Sequence, residues 1–190
     1  MLFRSQWLRD SLKVIGKASE TEKIAQSIEK LHDIYVVPAF AGLGAPYWDM
    51  YSRGAIFGLT RDTGVDHIIK ATLESLAYQT KDIIDVMEKD SGIKLKSLKV
   101  DGGACMNNYL MQFQSDLLDS EVIRPEIIET TAMGAGYLAG LKSNIWDKDQ
   151  IIKNQKIERS FNPTIKDSER EKMYSGWKKA VNRTFNWIEK

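Results

Sequence analysis

Cysteine is nearly absent from the sequence: among 190 residues there is only Cys105. A single cysteine excludes an internal disulfide, and this composition is typical of proteins from a reducing cytoplasm. The chain also lacks the run of about 20 apolar residues that a membrane-spanning helix needs. Its first residues, MLFRSQWLRDSLKVIG, mix apolar side chains with both charges and match neither a signal peptide nor an anchor. We therefore expect a cytoplasmic protein without a membrane span.

An excess of charge of one sign is also missing. The chain has 27 basic and 26 acidic residues, which gives a formal net charge of +1. Nonspecific nucleic-acid binding requires a basic field that neutralises phosphates. We therefore expect no nucleic-acid partner. The length and the hydrophobic fraction of 43% fit a single domain with its own core.

The order of the predicted elements indicates an α/β fold with a mixed or parallel sheet covered by helices, because strands and helices alternate in the second half. Hydrophobic spacing and β-branched runs define these elements. Helices are predicted over 6–15, 20–31, 66–89, 107–119 and 131–144, and strands over 34–40, 54–60, 95–101 and 120–125. Capping-box spacings of Asp147 with Gln150 and of Ser168 with Glu171 predict a helical tail.

Two glycines stand where a predicted strand turns into a helix, in the stretch LKVDGGACMNNYLMQFQSD from 98 to 116. Open α/β sheets bind ligands at the carboxyl ends of their strands, and the following helix offers unpaired amide groups. Gly102 and Gly103 would let an aromatic base or a ribose approach the backbone, with an asparagine as the polar contact. An ordinary tight turn has the same spacing, and spacing alone favours the turn. The stretch matches neither a Walker A loop nor GxGxxG.

The predicted helix over 131–144 contains TAMGAGYLAG, which has little side-chain bulk. Each glycine inside a helix costs about 1 kcal/mol relative to alanine, so something must compensate. Close packing of this helix against the sheet is the interpretation that the sequence favours. A helix edge that lines a nucleotide crevice is the alternative.

Candidate metal ligands and reactive groups show no diagnostic spacing. His32 and His67 lie far apart, and neither is spaced from Cys105 as a zinc site requires, so we expect no metal site. A thiol near a helix start can have a lowered pKa, but we expect Cys105 to be a small buried residue. The aspartates at loops and helix starts are interpreted as turn formers or caps. They are Asp49, Asp62, Asp66 and Asp101.

Several long motifs resemble those of one enzyme family. The stretches VVPAFAGLGAPYWDMYSRGAIFGLTRDTGVDHIIKATLESLAYQTKDIID and KVDGGACMNNYLMQFQSDLL are similar to the C-terminal domain of the FGGY carbohydrate kinases. The family signature corresponds to GAIFGLTRDTGVDHIIKATLE, from Gly54 to Glu74. The stretches GLGAPYWD, DGGACMNN and GWKKAVNR resemble the glycerol kinases more than the pentulose or hexulose kinases.

The resemblance implies an actin-like ATPase fold of RNase-H-like domains, with the nucleotide in the cleft between two domains. The implied reaction is phosphoryl transfer from MgATP to glycerol, giving glycerol 3-phosphate. In that family the residues that match Gln6, Gly103 and Asn107 contact the nucleotide, and those that match Gly102 and Ala104 form the loop around the adenosine. ATP or ADP with Mg is the implied cofactor, with no Mg ligand among these residues.

The resemblance covers only part of the family's length. The glycerol-binding side chains, the catalytic aspartate and the phosphate-binding turns have no counterpart in 1–190, and Leu2 stands where the family has a glycine. We therefore expect a partial C-terminal domain that lacks the N-terminal catalytic domain, contains no catalytic residue and is inactive alone. Uncovered apolar surface would favour self-association. The small-residue helix over 132–140 is expected to pack beneath the adenosine loop.

Two other functions stay open. The chain could instead be the C-terminal part of another FGGY sugar kinase, because the residues that select the sugar are not in it. It could also be a free-standing, non-catalytic module that binds nucleotide or serves as an interaction surface.

Overall fold

The computed structural model describes residues 2–28, 33–153 and 155–189. Helices and strands alternate along most of the chain. The elements are α1 (Leu2–Gln6) with a π-helical turn (Trp7–Ser11), α2 (Glu20–Ser27), β1 (Tyr35–Val37), β2 (Ala55–Phe57), α3 (Val65–Ser91), β3 (Ser97–Lys99), a 3-10 turn (Gly103–Met106), α4 (Asn108–Leu118), β4 (Glu121–Pro125), α5 (Thr130–Lys142), α6 (Lys148–Lys153), β5 (Ile157–Phe161) and α7 (Asp167–Asn182).

The strands of the described residues form a two-stranded and a three-stranded sheet. β1 and β2 pair antiparallel, with Val36 opposite Ile56. In the other sheet the central strand β4 runs parallel to β3, with Val122 opposite Leu98, and antiparallel to β5. Helices pack on both sheets, so the predicted mixed α/β architecture is confirmed.

The tail contains a strand, β5, where the sequence predicts only helices. Residues 157–160 are exposed and only Phe161 is buried, so the apolar alternation typical of a strand is missing. Pairing with β4 along one edge is what makes this segment a strand. Charged residues on such an edge are common, because they prevent pairing with other chains.

The two predicted capping boxes have different outcomes. The Asp147 amide donates to Gln150 Oε1 at 3.0 Å, and the Gln150 amide donates to Asp147 Oδ1 at 2.7 Å, so the first is confirmed. The second is wrong: α7 already begins at Asp167, and Ser168 is inside it.

The first two helices are shorter than predicted. The π-helical turn ends at Ser11, and Leu12 beyond it is 42% exposed. α2 ends at Ser27, while the remaining predicted residues from 29 to 31 lie outside the described part of the chain.

The long helix α3 has nearly the predicted bounds, and Gly92 ends it in a left-handed conformation with φ +70°. The spacing of apolar residues predicts one stripe along this helix, formed by Ile69, Leu73, Leu76, Thr80, Ile83 and Met87. The stripe is buried at Ile69 and Leu73. The prediction is wrong further along, where Ile83 and Met87 are 42% and 59% exposed. The last turns of α3, after Asp82, therefore extend beyond the described core.

Three helices meet around aromatic side chains in the core. Tyr78 of α3 stacks on Trp177 of α7 with ring centroids 5.1 Å apart and meets Phe113 of α4 edge-on at 5.4 Å. The sequence also predicts an amphipathic stripe in the tail, formed by Met173, Trp177, Val181, Phe185 and Ile188. Trp177 and Val181 are fully buried, which confirms core packing for that part of the stripe, whereas Ile188 is 40% exposed. Such ring pairs add stability beyond that of the buried area.

The buried half of α3 also carries two carboxylates. Glu74, 6% exposed, accepts a hydrogen bond from the Tyr109 hydroxyl of α4 at 2.5 Å. Asp82, 3% exposed, accepts from the Tyr174 hydroxyl and from the Trp177 indole N–H of α7, each at 2.8 Å. Burial raises the pKa of both carboxyls, that of Glu74 to about 7. Each carboxylate therefore attaches a neighbouring helix to α3 at a cost in desolvation.

The Glu74→Gln variant should change how stability depends on pH. The folded protein binds a proton at Glu74 more tightly than the unfolded chain, so the stabilisation by protonation is lost as pH rises from about 4.5 to about 7. A shift of this size corresponds to about 3 kcal/mol. We expect the variant to have a higher free energy of unfolding than the wild type above pH 7, and a similar one in acid, as measured by urea unfolding.

A matched control is Glu88→Gln on the same helix. Hydrogen bonds from the Leu95 amide and Lys94 lower the pKa of Glu88, so its loss should reduce stability at high pH instead. A Glu74→Gln effect that does not vary with pH would contradict this account.

Candidate functional site

The glycine pair lies in a loop at the carboxyl end of β3. Gly102 has φ +73° and ψ 171°, a backbone region that is essentially restricted to glycine. Its amide donates to the Ile128 carbonyl at 2.9 Å, which fixes the loop against the segment after β4. A Cβ atom at Gly102 or at the exposed Gly103 would meet no atom within 4 Å. The outer side of the glycine pair is therefore open space that a flat ligand group can occupy.

Asn107 connects this loop to α4. Its Oδ1 accepts from the Leu110 amide at 2.9 Å and so caps the helix, as the predicted helix start implies. Its Nδ2 donates to Thr21 Oγ1 of α2 at 3.2 Å. An amide side chain has two N–H donors and two acceptor lone pairs. Asn107 therefore keeps one N–H and one lone pair for a ligand.

A buried arginine holds the loop from beneath. Arg124 of β4 is 4% exposed, and its Nη1 donates to the Cys105 carbonyl at 2.7 Å. Its Nη2 donates to Asn108 Oδ1 at 3.0 Å, and its Nε donates to Glu158 Oε2. One planar guanidinium thus ties the loop, the start of α4 and β5 together.

Helix α2 contacts the start of α4 a second time. Glu22 Oε1 accepts from the Asn108 amide at 3.2 Å and from Asn108 Nδ2 at 2.9 Å. An acidic side chain at a helix N-terminus is favourable because the helix dipole is positive there. Sequence reasoning missed Thr21, Glu22 and Arg124, because no local signal marks them. Thr21 and Glu22 lie 86 residues from their partners at the start of α4, and Arg124 lies 16 and 19 residues from Asn108 and Cys105.

Two further residues, Ala104 and Gln6, are predicted for the nucleotide site. Ala104 is in the 3-10 turn and is half-buried. Gln6 is the last residue of α1, which packs on α3. The hydrogen bonds of the described residues do not join Gln6 to the loop, so its place in a nucleotide site stays a prediction.

Cys105 is 1% exposed, as expected for a small buried residue. Burial is also the main cause that raises its thiol pKa, so the thiol is protonated and unreactive near neutral pH. His67 Nδ1 accepts from the Gly64 amide at 3.2 Å, and His32 lies outside the described residues. Within the described ranges, no three His, Cys, Asp or Glu side chains are grouped so that they could hold a metal ion.

The small-residue helix α5 does not pack closely against the sheet, which corrects the favoured interpretation. Cβ atoms at Gly134 and Gly136 would meet open space, and Leu138 is 71% exposed. Only Gly140 is closely packed, beneath the Trp146 ring. The helix begins next to the loop, where Thr130 Oγ1 donates to Asp101 Oδ2. Its small side chains therefore leave one side of the loop open.

Comparison with known proteins identifies the family of this chain. Residues 3–143 match the model of the FGGY family of carbohydrate kinases, C-terminal domain. The chain belongs to this family, and the resemblance expected from its motifs is confirmed. In the part of the chain that the structure describes, no helix is long and apolar enough to span a bilayer.

Within the family the similarity is to glycerol kinases. The glycerol kinase of Alkaliphilus metalliredigens is 58% identical over 96% of this chain, and that of Caldanaerobacter subterraneus is 57% identical over 97%. The chain spans 37% of the length of each of these relatives.

Solved structures show the same fold. Plasmodium falciparum glycerol kinase with ADP has a TM-score of 0.85 at 37% identity, over 94% of this chain and 36% of that one. A ligand-bound xylulose kinase from Lactobacillus acidophilus has a TM-score of 0.81 over 95% of this chain and 37% of that one. Its identity of 18% supports the likeness of fold alone. The fold is that of the actin-like ATPases.

Removing the buried arginine should destabilise the loop. Arg124→Met loses three hydrogen bonds and leaves the Cys105 carbonyl without its partner, which should cost about 2 kcal/mol or more in urea unfolding. Arg159→Met is the matched control, because Arg159 also lies over the Phe161 ring and donates to Asn108 Oδ1, at 3.3 Å, but does not contact the loop carbonyl. Equal losses in both variants would show that Arg124 does not hold the loop.

Proposed function

We propose that this chain forms the adenosine side of the ATP site of a glycerol kinase. The observation that carries the proposal is the open glycine surface at Gly102 and Gly103, next to an asparagine with one free N–H. Support comes from the likeness to the P. falciparum glycerol kinase solved with ADP. A base or ribose lies flat on the glycines and Ala104, while Asn107 donates to an acceptor atom of the nucleotide.

Gln6 contributes to the same site from α1. Glycerol is the proposed second substrate, because the relatives that are 58% and 57% identical to this chain are glycerol kinases. The xylulose kinase at 18% identity gives no comparable support for a pentulose. We place the protein in the cytoplasm, in keeping with its single cysteine.

Phosphoryl transfer needs a metal and a base on the phosphate side of the site. By the family resemblance, the residues for these roles match the part of the relatives that this chain does not span. We propose that this chain, which spans 37% of the length of that relative, corresponds to a partial C-terminal domain and does not catalyse the reaction alone. When bound, Mg neutralises charge on the transferred phosphate.

We also propose that the chain self-associates. Trp48 and Met50 are 79% and 70% exposed, and Trp187 is 70% exposed on a nearby segment. The two segments are joined by the bond from the Asn186 amide to Asp49 Oδ2 at 2.9 Å. Exposed apolar groups held together in this way favour a protein contact. Sedimentation velocity that shows only monomer at high micromolar concentration would refute this.

Calorimetry with ADP tests the site. Gly103→Val places a side chain in the open space without a clash, so the ADP affinity should fall at least tenfold while the unfolding midpoint stays near that of the wild type. Asn107→Asp keeps the capping oxygen but removes the N–H donors, and it should also weaken binding. Gly44→Val is the matched control, since a Cβ at Gly44 also meets open space, away from the loop. Wild-type affinity in both Gly103→Val and Asn107→Asp would remove the site assignment.

A coupled assay with glycerol and MgATP tests the absence of catalysis. The chain alone should give a rate no greater than the background, because one side of the phosphate lacks its stabilising groups. Turnover above background that Gly103→Val abolishes would overturn this part of the proposal.

A further inference from the structure

The first turn of α4 is held from three sides. Thr21 and Glu22 of α2 accept hydrogen bonds from Asn107 and Asn108. Arg124 of β4 donates to Asn108 Oδ1 and to the Cys105 carbonyl. Tyr109 provides the third connection, to Glu74 of α3. Asn107 stands between this turn and the glycine loop, and it keeps one N–H that these connections do not use. The direction of Asn107 therefore depends on how these three connections orient the turn.

Tyr109 is held by both its hydroxyl and its ring. Its hydroxyl donates to buried Glu74 at 2.5 Å, and its ring is nearly parallel to Phe113, with centroids 6.1 Å apart and planes 11° apart. Lys70 Nζ lies 5.4 Å from the ring centroid and donates to the Ile28 carbonyl at 2.8 Å. A ring held by its face and its hydroxyl together has a single orientation.

We propose that Tyr109 is a positioning residue for nucleotide binding, whose hydroxyl bond to Glu74 sets the rotation of the first turn of α4 and so the direction of the free Asn107 N–H. This inference rests on the proposed function of the loop. Tyr109 is two residues from Asn107, so a small rotation of the turn moves the asparagine directly. A donor that is oriented before the ligand arrives lowers the entropic cost of binding.

The helix itself does not depend on this hydroxyl. Leu110, Phe113 and Leu117 of α4 are buried in the core, and Asn107 caps the helix independently. Tyr109→Phe keeps the ring and removes one oxygen atom. We therefore expect this variant to fold with an α4 that is present but less strictly oriented.

The test uses Tyr109→Phe and adenosine as the probe, measured by calorimetry. We expect adenosine affinity to fall about three- to tenfold, the effect of one hydrogen bond. Tyr174→Phe is the matched control, because it also removes a tyrosine hydroxyl from a buried α3 carboxylate, Asp82, but on the side of α7. Its stability should fall similarly while its adenosine affinity equals that of the wild type.

A pH profile separates positioning from mere stabilisation. The titratable and charged groups facing Glu74 are Lys70 and Tyr78 of α3, Tyr109 of α4 and Tyr35 of β1. Ionised Glu74 is a stronger acceptor for the Tyr109 hydroxyl than protonated Glu74. Adenosine affinity should therefore rise as pH passes through the pKa of about 7, while the stability of the fold falls. Adenosine itself does not titrate there, and the Glu74→Gln variant should show a flat affinity profile.

Each outcome decides the proposal. Reduced affinity in Tyr109→Phe alone, with the rising wild-type profile, supports it. Wild-type affinity in Tyr109→Phe, or equal losses in Tyr109→Phe and Tyr174→Phe, overturns it while leaving the proposed site intact. No adenosine or ADP binding by the wild-type chain overturns both the site and the role of Tyr109.

Discussion

Two carboxylates buried on one helix determine how the other helices are placed. Glu74 and Asp82 of α3 would be strongly destabilising without partners, because an unpaired buried charge costs several kcal/mol. Tyrosine hydroxyls from α4 and α7 supply those partners. The helices are therefore held at α3 by directional bonds as well as by apolar contact, and loss of either bond removes one of the groups that compensate the burial of its carboxylate.

The loop at the carboxyl end of β3 follows from this arrangement. α4 is fixed on α3, its capping asparagine is fixed on α2, and the buried arginine of β4 binds the loop carbonyl. These bonds hold the loop from beneath. On its outer side the two glycines carry no side chain, and the space next to them is open. A surface that is rigid beneath and bare above suits a planar ligand such as an adenine ring, which gains affinity from contact area and from few oriented polar groups.

Sequence reasoning was most successful where the signals are local. The start of α4 near Asn107, the approximate bounds of α3 and the capping box before α6 depend on residues close together in the sequence, and each agrees with its prediction. It failed where an element depends on distant partners. β5 is a strand only because β4 pairs with it, and Arg124 reaches residues 16 and 19 positions away. The small residues of α5 were interpreted as packing, although most of the helix is open. The family resemblance predicts an adenosine loop from its motif, but it does not indicate which side chains support that loop.

The separation of the strands into two sheets has a mechanical consequence. Among the described strands, β3 pairs only with β4, so no backbone hydrogen bonds join its sheet to β1 and β2. The two parts meet where α2, α3 and α7 pack on α4, while α1, with Gln6 at its end, lies against α3. Hydrogen bonds from Asn107 to Thr21 and from Tyr109 to Glu74 cross the same contacts. The position of the glycine loop relative to Gln6 therefore depends on helix packing and on side-chain hydrogen bonds, and not on a continuous sheet.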